Sequence, residues 1–163
     1  MKKVYGLTLI ELLIVIALCA ILAVVVAPGL ANLSNNSILS DETNTLVKML
    51  NQAKNTAVNN NRVIVGCFAN QNSCSVNNFN HFIIFSDLNG DNVYQNAETM
   101  IYDSTNLRGN LAYTPSAAQV RFSPDGTVSA ATNIKICEPN HSGYLITIPI
   151  SGRISSTANN NGC

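Results

Sequence analysis

The sequence predicts an α+β protein, in which a long N-terminal helix packs on a β-rich C-terminal domain of short antiparallel strands. Three observations predict it. An apolar run fills Leu7–Ala27, interrupted by Thr8 and Glu11. Apolar residues then recur at Leu39, Leu46, Leu50, Ala53 and Ala57, at threes, fours and sevens, which is the period of a helix with one buried stripe. From Arg62 onward the pattern changes to short β-rich runs parted by turn residues. A helix followed by strands gives an α+β arrangement.

The first element is a basic leader, with Lys2, Lys3 and Gly6 ahead of the apolar run. A secretory signal peptide carries its small-residue cleavage site after the apolar run, so Gly6 in front of the run has the wrong order for one. The 21 residues of Leu7–Ala27 are long enough to cross a bilayer core. Lys2 and Lys3 keep this end cytoplasmic by the positive-inside rule. The expected division is a leader at 1–6, a transmembrane helix at 7–30, and an α+β domain at 31–163 outside the cytoplasm. A carboxylate inside an apolar helix costs about 2.5–3.5 kcal/mol on insertion scales. Glu11 is therefore a candidate functional residue in need of a partner; the plainer alternative is an acid at the membrane interface, close to water. The amphipathic second half of the helix should end near Asn59–Asn61. Strands are expected at Val63–Phe68, Phe79–Ser86, Thr99–Tyr102, Asn110–Thr114, Gln119–Phe122, Lys135–Cys137 and Tyr144–Ile150. Turns fall at Asn89-Gly90, Pro124-Asp125-Gly126 and Ser151-Gly152.

Gly6-Leu7-Thr8-Leu9-Ile10-Glu11-Leu12-Leu13 resembles the class III leader of bacterial type IV pilins and type II secretion pseudopilins. The resemblance implies cleavage between Gly6 and Leu7 by the prepilin peptidase, then N-methylation of Leu7. Leu7 departs mildly from the usual Phe. The resemblance makes Glu11 the assembly acid, paired with the new amino group of Leu7 on a neighbouring subunit. Pro28 stands where many pilins carry a helix-kinking proline. The order of later parts is similar to the H-type minor pseudopilins and the FimT/FimU minor pilins. The matching stretches are the hairpin at Phe82–Asp91, Phe122–Gly126, Ile136-Cys137, Ser151–Arg153 and the terminal Gly162-Cys163. This branch implies a minor pilin that primes or caps a filament tip, with other major and minor pilins as partners. It would be held in the inner membrane before assembly and in a surface pilus or periplasmic pseudopilus afterwards. The alternatives are a DNA-binding tip pilin for natural transformation and an H-type pseudopilin of type II secretion.

Four cysteines lie outside the apolar run, and an oxidising compartment lets them pair. Three pairings stay open; the favoured one joins Cys67 to Cys74 and Cys137 to Cys163. Cys19, inside the span, is expected to remain a thiol. Asp87, Asn89, Asp91, Val93 and Glu98 fall at positions 1, 3, 5, 7 and 12 of a calcium-loop spacing, with Asn92 where glycine is the rule. The plainer reading is a polar hairpin turn, favoured by Asn-Gly; with that reading no cofactor is expected, and Ca²⁺ is the alternative. Some FimT-like members carry a Gly-Arg-x-Arg motif tied to DNA capture. Gly152 and Arg153 match it and Ser155 does not. Removing the leader leaves seven basic against nine acidic residues, so DNA binding through Arg153 is expected to be weak and salt-sensitive. His81 and His141 lie in no nucleophile motif, and no enzymatic activity is expected.

Overall fold

The computed structural model describes residues 9–104, 107–138 and 143–159, the side chains of 24–36 excepted. It divides into two compact units, Met1–Ser37 and Ile38–Cys163. Helix α1 runs Leu9–Asn60 and includes Pro28. Its described apolar side chains in the first unit, from Leu9 to Ala23, are exposed on every side; Leu9 is 82% and Val15 54% accessible. Among the described residues no helix is long and apolar enough to cross a membrane. Those fifteen residues rise only about 22 Å, against a hydrocarbon core of about 30 Å. The expected span, 7–30, extends beyond them at both ends.

In the second unit the apolar stripe of α1 is buried as its spacing requires. Leu39, Leu46, Leu50, Ala53 and Ala57 are all at most 4% exposed. Thr43 lies in the same stripe and is 1% exposed; its hydroxyl donates to the Leu39 carbonyl at 2.8 Å, so the polar group is satisfied. Asn61 ends the helix. It takes φ 50°, and the Arg62 N–H closes on the Ala57 carbonyl at 3.2 Å. Asparagine tolerates this left-handed position better than most residues.

Nine strands follow in chain order: β1 Ile64–Asn70, β2 Ser73–Cys74, β3 His81–Ser86, β4 Met100–Asp103, β5 Ala112–Pro115, β6 Gln119–Phe122, β7 Thr132–Cys137, β8 Gly143–Ile148 and β9 Ser155–Asn159. They form two antiparallel sheets. The first has the order β2-β1-β3-β4, with β6 also paired to β1; the second has the order β5-β7-β8-β9. The sequence reading missed β2 and β9. It also extended β8 to Ile150, which instead sits in a turn and is 61% exposed.

β1 and β3 are buried on both faces. Side chains alternate across a strand, so Ile64, Phe68, Phe82 and Ile84 join the α1 stripe and the inner faces of β6, β7 and β8 in one core. Each such side chain contributes roughly 1.5–3 kcal/mol. Gly66 lies on this face, where an added Cβ would come 3.2 Å from the Phe82 ring and 3.8 Å from Leu50. Val65, Cys67, Ala69, Ile83 and Phe85 form a second cluster on the opposite face. The connection 87–99 covers it, with Tyr94 edge-on to Phe85 at 5.9 Å between centroids.

Candidate functional site

Glu11 lies in the first turn of α1, exposed among exposed apolar neighbours. A helix apolar all round requires burial in lipid or against other helices. Gly6 and Leu7, the expected cleavage and methylation residues, lie outside the described residues.

The loop read as a calcium candidate is organised around a guanidinium. Arg121, on β6, donates from one nitrogen to Asp87 Oδ2 at 2.6 Å and to Asn92 Oδ1 at 2.7 Å. The Asp87 side chain is fully buried and that of Arg121 is 25% exposed. The other loop oxygens are turned to the loop itself. Asp87 Oδ1 accepts the Gly90 N–H, and Asp91 accepts the Val93 N–H and the side-chain amides of Asn89 and Gln95. Glu98 accepts the N–H groups of Leu88 and Gln95, one on each oxygen. Asn92 takes φ 64° where a calcium loop has glycine. Among the described residues no group of three acidic, His or Cys side chains is placed to hold a metal. Asp87, Asn89, Asp91, Val93 and Glu98, the residues of the calcium expectation, thus lie in a turn that is hydrogen-bonded to itself in this structure. Their carboxylates are committed to N–H donors, and the positive charge is supplied by Arg121, 34 residues away in sequence. Removing one partner of a buried pair costs about 3–5 kcal/mol because the other charge stays behind. We expect Asp87→Ala to lower stability by about 3 kcal/mol, roughly 10 °C in Tm for a domain of this size. Adding Arg121→Met should recover part of the loss; chemical denaturation of both variants checks this.

The stretches Phe122–Gly126 and Ser151–Arg153 meet in space. Gly126 closes a turn on the Ser123 carbonyl at 2.9 Å, and Gly152 closes another on the Pro149 carbonyl at 2.8 Å. The two glycines have φ of 80° and 68°. A Cβ on Gly152 would fall 2.0 Å from the Gly126 carbonyl oxygen. Lys54 of α1 donates to the Gly152 carbonyl at 3.0 Å and ties both turns to the helix. Asp125, at the tip of the first turn, accepts the Thr127 N–H and hydroxyl, which hold its carboxyl below the usual range. Arg153 and Ser155 both face solvent. The glycine of the Gly-Arg pair is thus a packing residue, and the arginine beside it is a surface cation.

A second tie joins α1 to the strands. Glu42 accepts the Tyr113 hydroxyl at 2.9 Å and pairs with Arg108 at 3.1 Å. Burial, then the Glu42 carboxylate, push the Tyr113 hydroxyl well above its ordinary range. Cys67 and Cys74 form a disulfide, and Cys19 is a free, exposed thiol. Cys137 is disulfide-bonded; its expected partner, Cys163, lies outside the described residues. His141 also lies outside them, and His81 is 9% exposed with Nδ1 against Asn80 Oδ1.

The family model for type II transport protein GspH matches residues 42–152. The model for the prokaryotic N-terminal methylation motif matches residues 1–27. No curated protein matches significantly in sequence. Two crystal forms of the type IV minor pilin FimU from Pseudomonas aeruginosa strain PAO1 have a similar structure. The P65 form superposes with a TM-score of 0.56 at 18% identity, over 73% of this chain and 92% of that one. The P21 form gives 0.59 at 18% identity, over 76% and 90%. At this identity the likeness establishes the fold.

Proposed function

The chain belongs to the type II transport protein GspH family, a family of pilin-like subunits, and from that premise we propose that it is a minor subunit of a type IV pilus, priming or capping the filament tip. In this reading it is made with the leader 1–6, held in the inner membrane by 7–30 with its N-terminus cytoplasmic, cleaved after Gly6, methylated on Leu7, and drawn into a filament with other pilins. The observation that carries the reading is the joining of two parts in one chain. A helical segment apolar on all sides bears one acid, Glu11. A folded α+β unit with a buried helix stripe follows it. Such a segment gains by packing against like helices, and such a domain gains nothing from it. The proposed role is structural, with no chemistry assigned to the chain.

The DNA-capturing alternative rests on the Gly152-Arg153 match, with Lys135 as the cation that would help it. Phosphate affinity grows with the number of cations that reach the backbone. Of the other cations, Arg121 and Arg108 are committed to carboxylates and Lys54 to a carbonyl.

Mass spectrometry of the protein from purified filaments tests the main reading. The expected species begins at Leu7 and carries one added methyl group. Gly6→Val should leave a membrane-bound precursor that retains Lys2 and Lys3. Filaments containing the chain with Met1 intact would overturn it.

A further inference from the structure

We propose that an open stretch of sheet edge beside Gln119 receives a short extended segment, about three residues, from a neighbouring subunit of the filament. The inference rests on the reading of this chain as a filament subunit and adds the surface through which the folded unit would engage a partner.

β2 and β6 lie end to end along the same edge of β1. Cys74 is opposite Ala69, and Arg121 is opposite Val65. A further row of chain already covers both ends of their outer edge. The Cys74 N–H reaches the Asn92 carbonyl at 3.4 Å, and the Ser129 N–H reaches the Arg121 carbonyl at 3.3 Å. Among the described residues no backbone hydrogen bond continues this row between Asn92 and Ser129, across the three positions of Phe68, Cys67 and Gly66 on β1. Three extended residues span about 10 Å. In an antiparallel pair, alternate residues turn both backbone groups to the same side. Because the Arg121 carbonyl points outward, the N–H and C=O of Gln119, two residues before it, point outward too. They face a cavity of about 460 Å³. Gln119 is among the residues that line this cavity.

The lining selects the occupant. It has no Lys or Arg for a phosphate and no aromatic ring for a sugar to stack on. Its one acid, Asp91, is already bonded to the Val93 N–H and to Asn89 and Gln95. Ala117, Ala118, Ser129 and Ala130 are small and uncharged. An uncharged polypeptide strand can pair its N–H and C=O with the outward-turned groups of Gln119, and it completes a row already built at both ends.

The test compares the full-length chain in purified filaments with the same chain in detergent. Exchange of the Gln119 amide hydrogen should slow at least tenfold on assembly. Ala130 is exposed, so Ala130→Arg should fill the cavity mouth without unfolding the domain. It should cut incorporation at least fivefold at unchanged Tm, whereas Thr157→Arg, on the exposed strand β9, should incorporate normally. Unchanged Gln119 exchange, normal incorporation of Ala130→Arg, or equal loss from both arginines would overturn the proposal while leaving the filament reading intact. Protection of Gln119 by chitotriose in the unassembled chain would assign the cavity to carbohydrate and overturn it as well. Absence of the wild-type chain from filaments would overturn the functional reading, and this proposal with it.

Discussion

Replacing Gly152 by alanine is expected to be among the most damaging single substitutions in the folded unit, costing more than about 3 kcal/mol. Two effects add. A residue with a Cβ pays about 1–2 kcal/mol to hold left-handed backbone, and Gly152 has φ 68°. The new Cβ would also stand 2.0 Å from the carbonyl oxygen of Gly126, with the backbone carbon at 3.1 Å. Two backbone turns have no flexible end to move aside, so one turn must shift bodily. That shift also endangers the 3.0 Å bond from Lys54 to the Gly152 carbonyl. Two other glycines calibrate the effect. Gly126→Ala has φ 80° and meets the Lys54 and Val58 side chains at 3.2 and 3.4 Å, which can give way. Gly90→Ala has φ 80° and nothing within 4 Å, so it pays only the conformational cost of about 1–2 kcal/mol. Thermal or urea unfolding should rank the losses Gly152, Gly126, Gly90. A Gly152→Ala loss no larger than that of Gly90→Ala would refute the packing account.

What could be read from the sequence follows from where burial imposes a period. The α1 stripe was legible because five apolar residues at helical spacing are all buried against one core. β1 and β3 were legible because burial on both faces makes them continuous apolar runs. β9 was not. Its Ser-Ser-Thr-Ala-Asn sequence is exposed along most of its length, so only backbone pairing with β8 defines it. β2 spans two residues, too few for any period. In the loop 87–98 the spacing of oxygen donors was visible, but the cation they serve was not. Arg121 reaches Asp87 only because β6 pairs antiparallel with β1, and no local pattern reports that register. One signal was present: Gln-Val-Arg-Phe alternates toward and away from the core, which places Arg121 on the face opposite Val120 and Phe122. The glycine of Ser-Gly-Arg was noticed as part of a motif; its reason, the crossing of two turns, needed coordinates.

Glu11→Val is expected to leave cleavage and membrane insertion intact and to reduce incorporation into filaments severalfold. The segment Leu9–Ala23 has no polar face, so valine is the better residue for insertion by about 2.5–3.5 kcal/mol. If Glu11 served only the helix in lipid, its loss would be harmless or helpful. The proposed filament would give the acid a charged partner that lipid does not. That partner is the amino group of Leu7 on the neighbouring subunit, freed by cleavage. Two unit charges about 4 Å apart attract by about 4 kcal/mol at an effective dielectric of 20. Valine forfeits that attraction and leaves the neighbour's ammonium buried without a partner, which costs further. A loss of about 1.4 kcal/mol already gives a tenfold change in equilibrium incorporation. Glu11→Asp, with the charge kept on a shorter stem, should fall between wild type and valine. A subunit placed at the end of a filament has fewer neighbours, so the size of the loss also reports position: a slight deficit with normal cleavage would point to the terminal subunit. Quantitative immunoblotting of sheared filaments against membrane fractions separates these outcomes. Wild-type incorporation of Glu11→Val would remove the pairing role altogether.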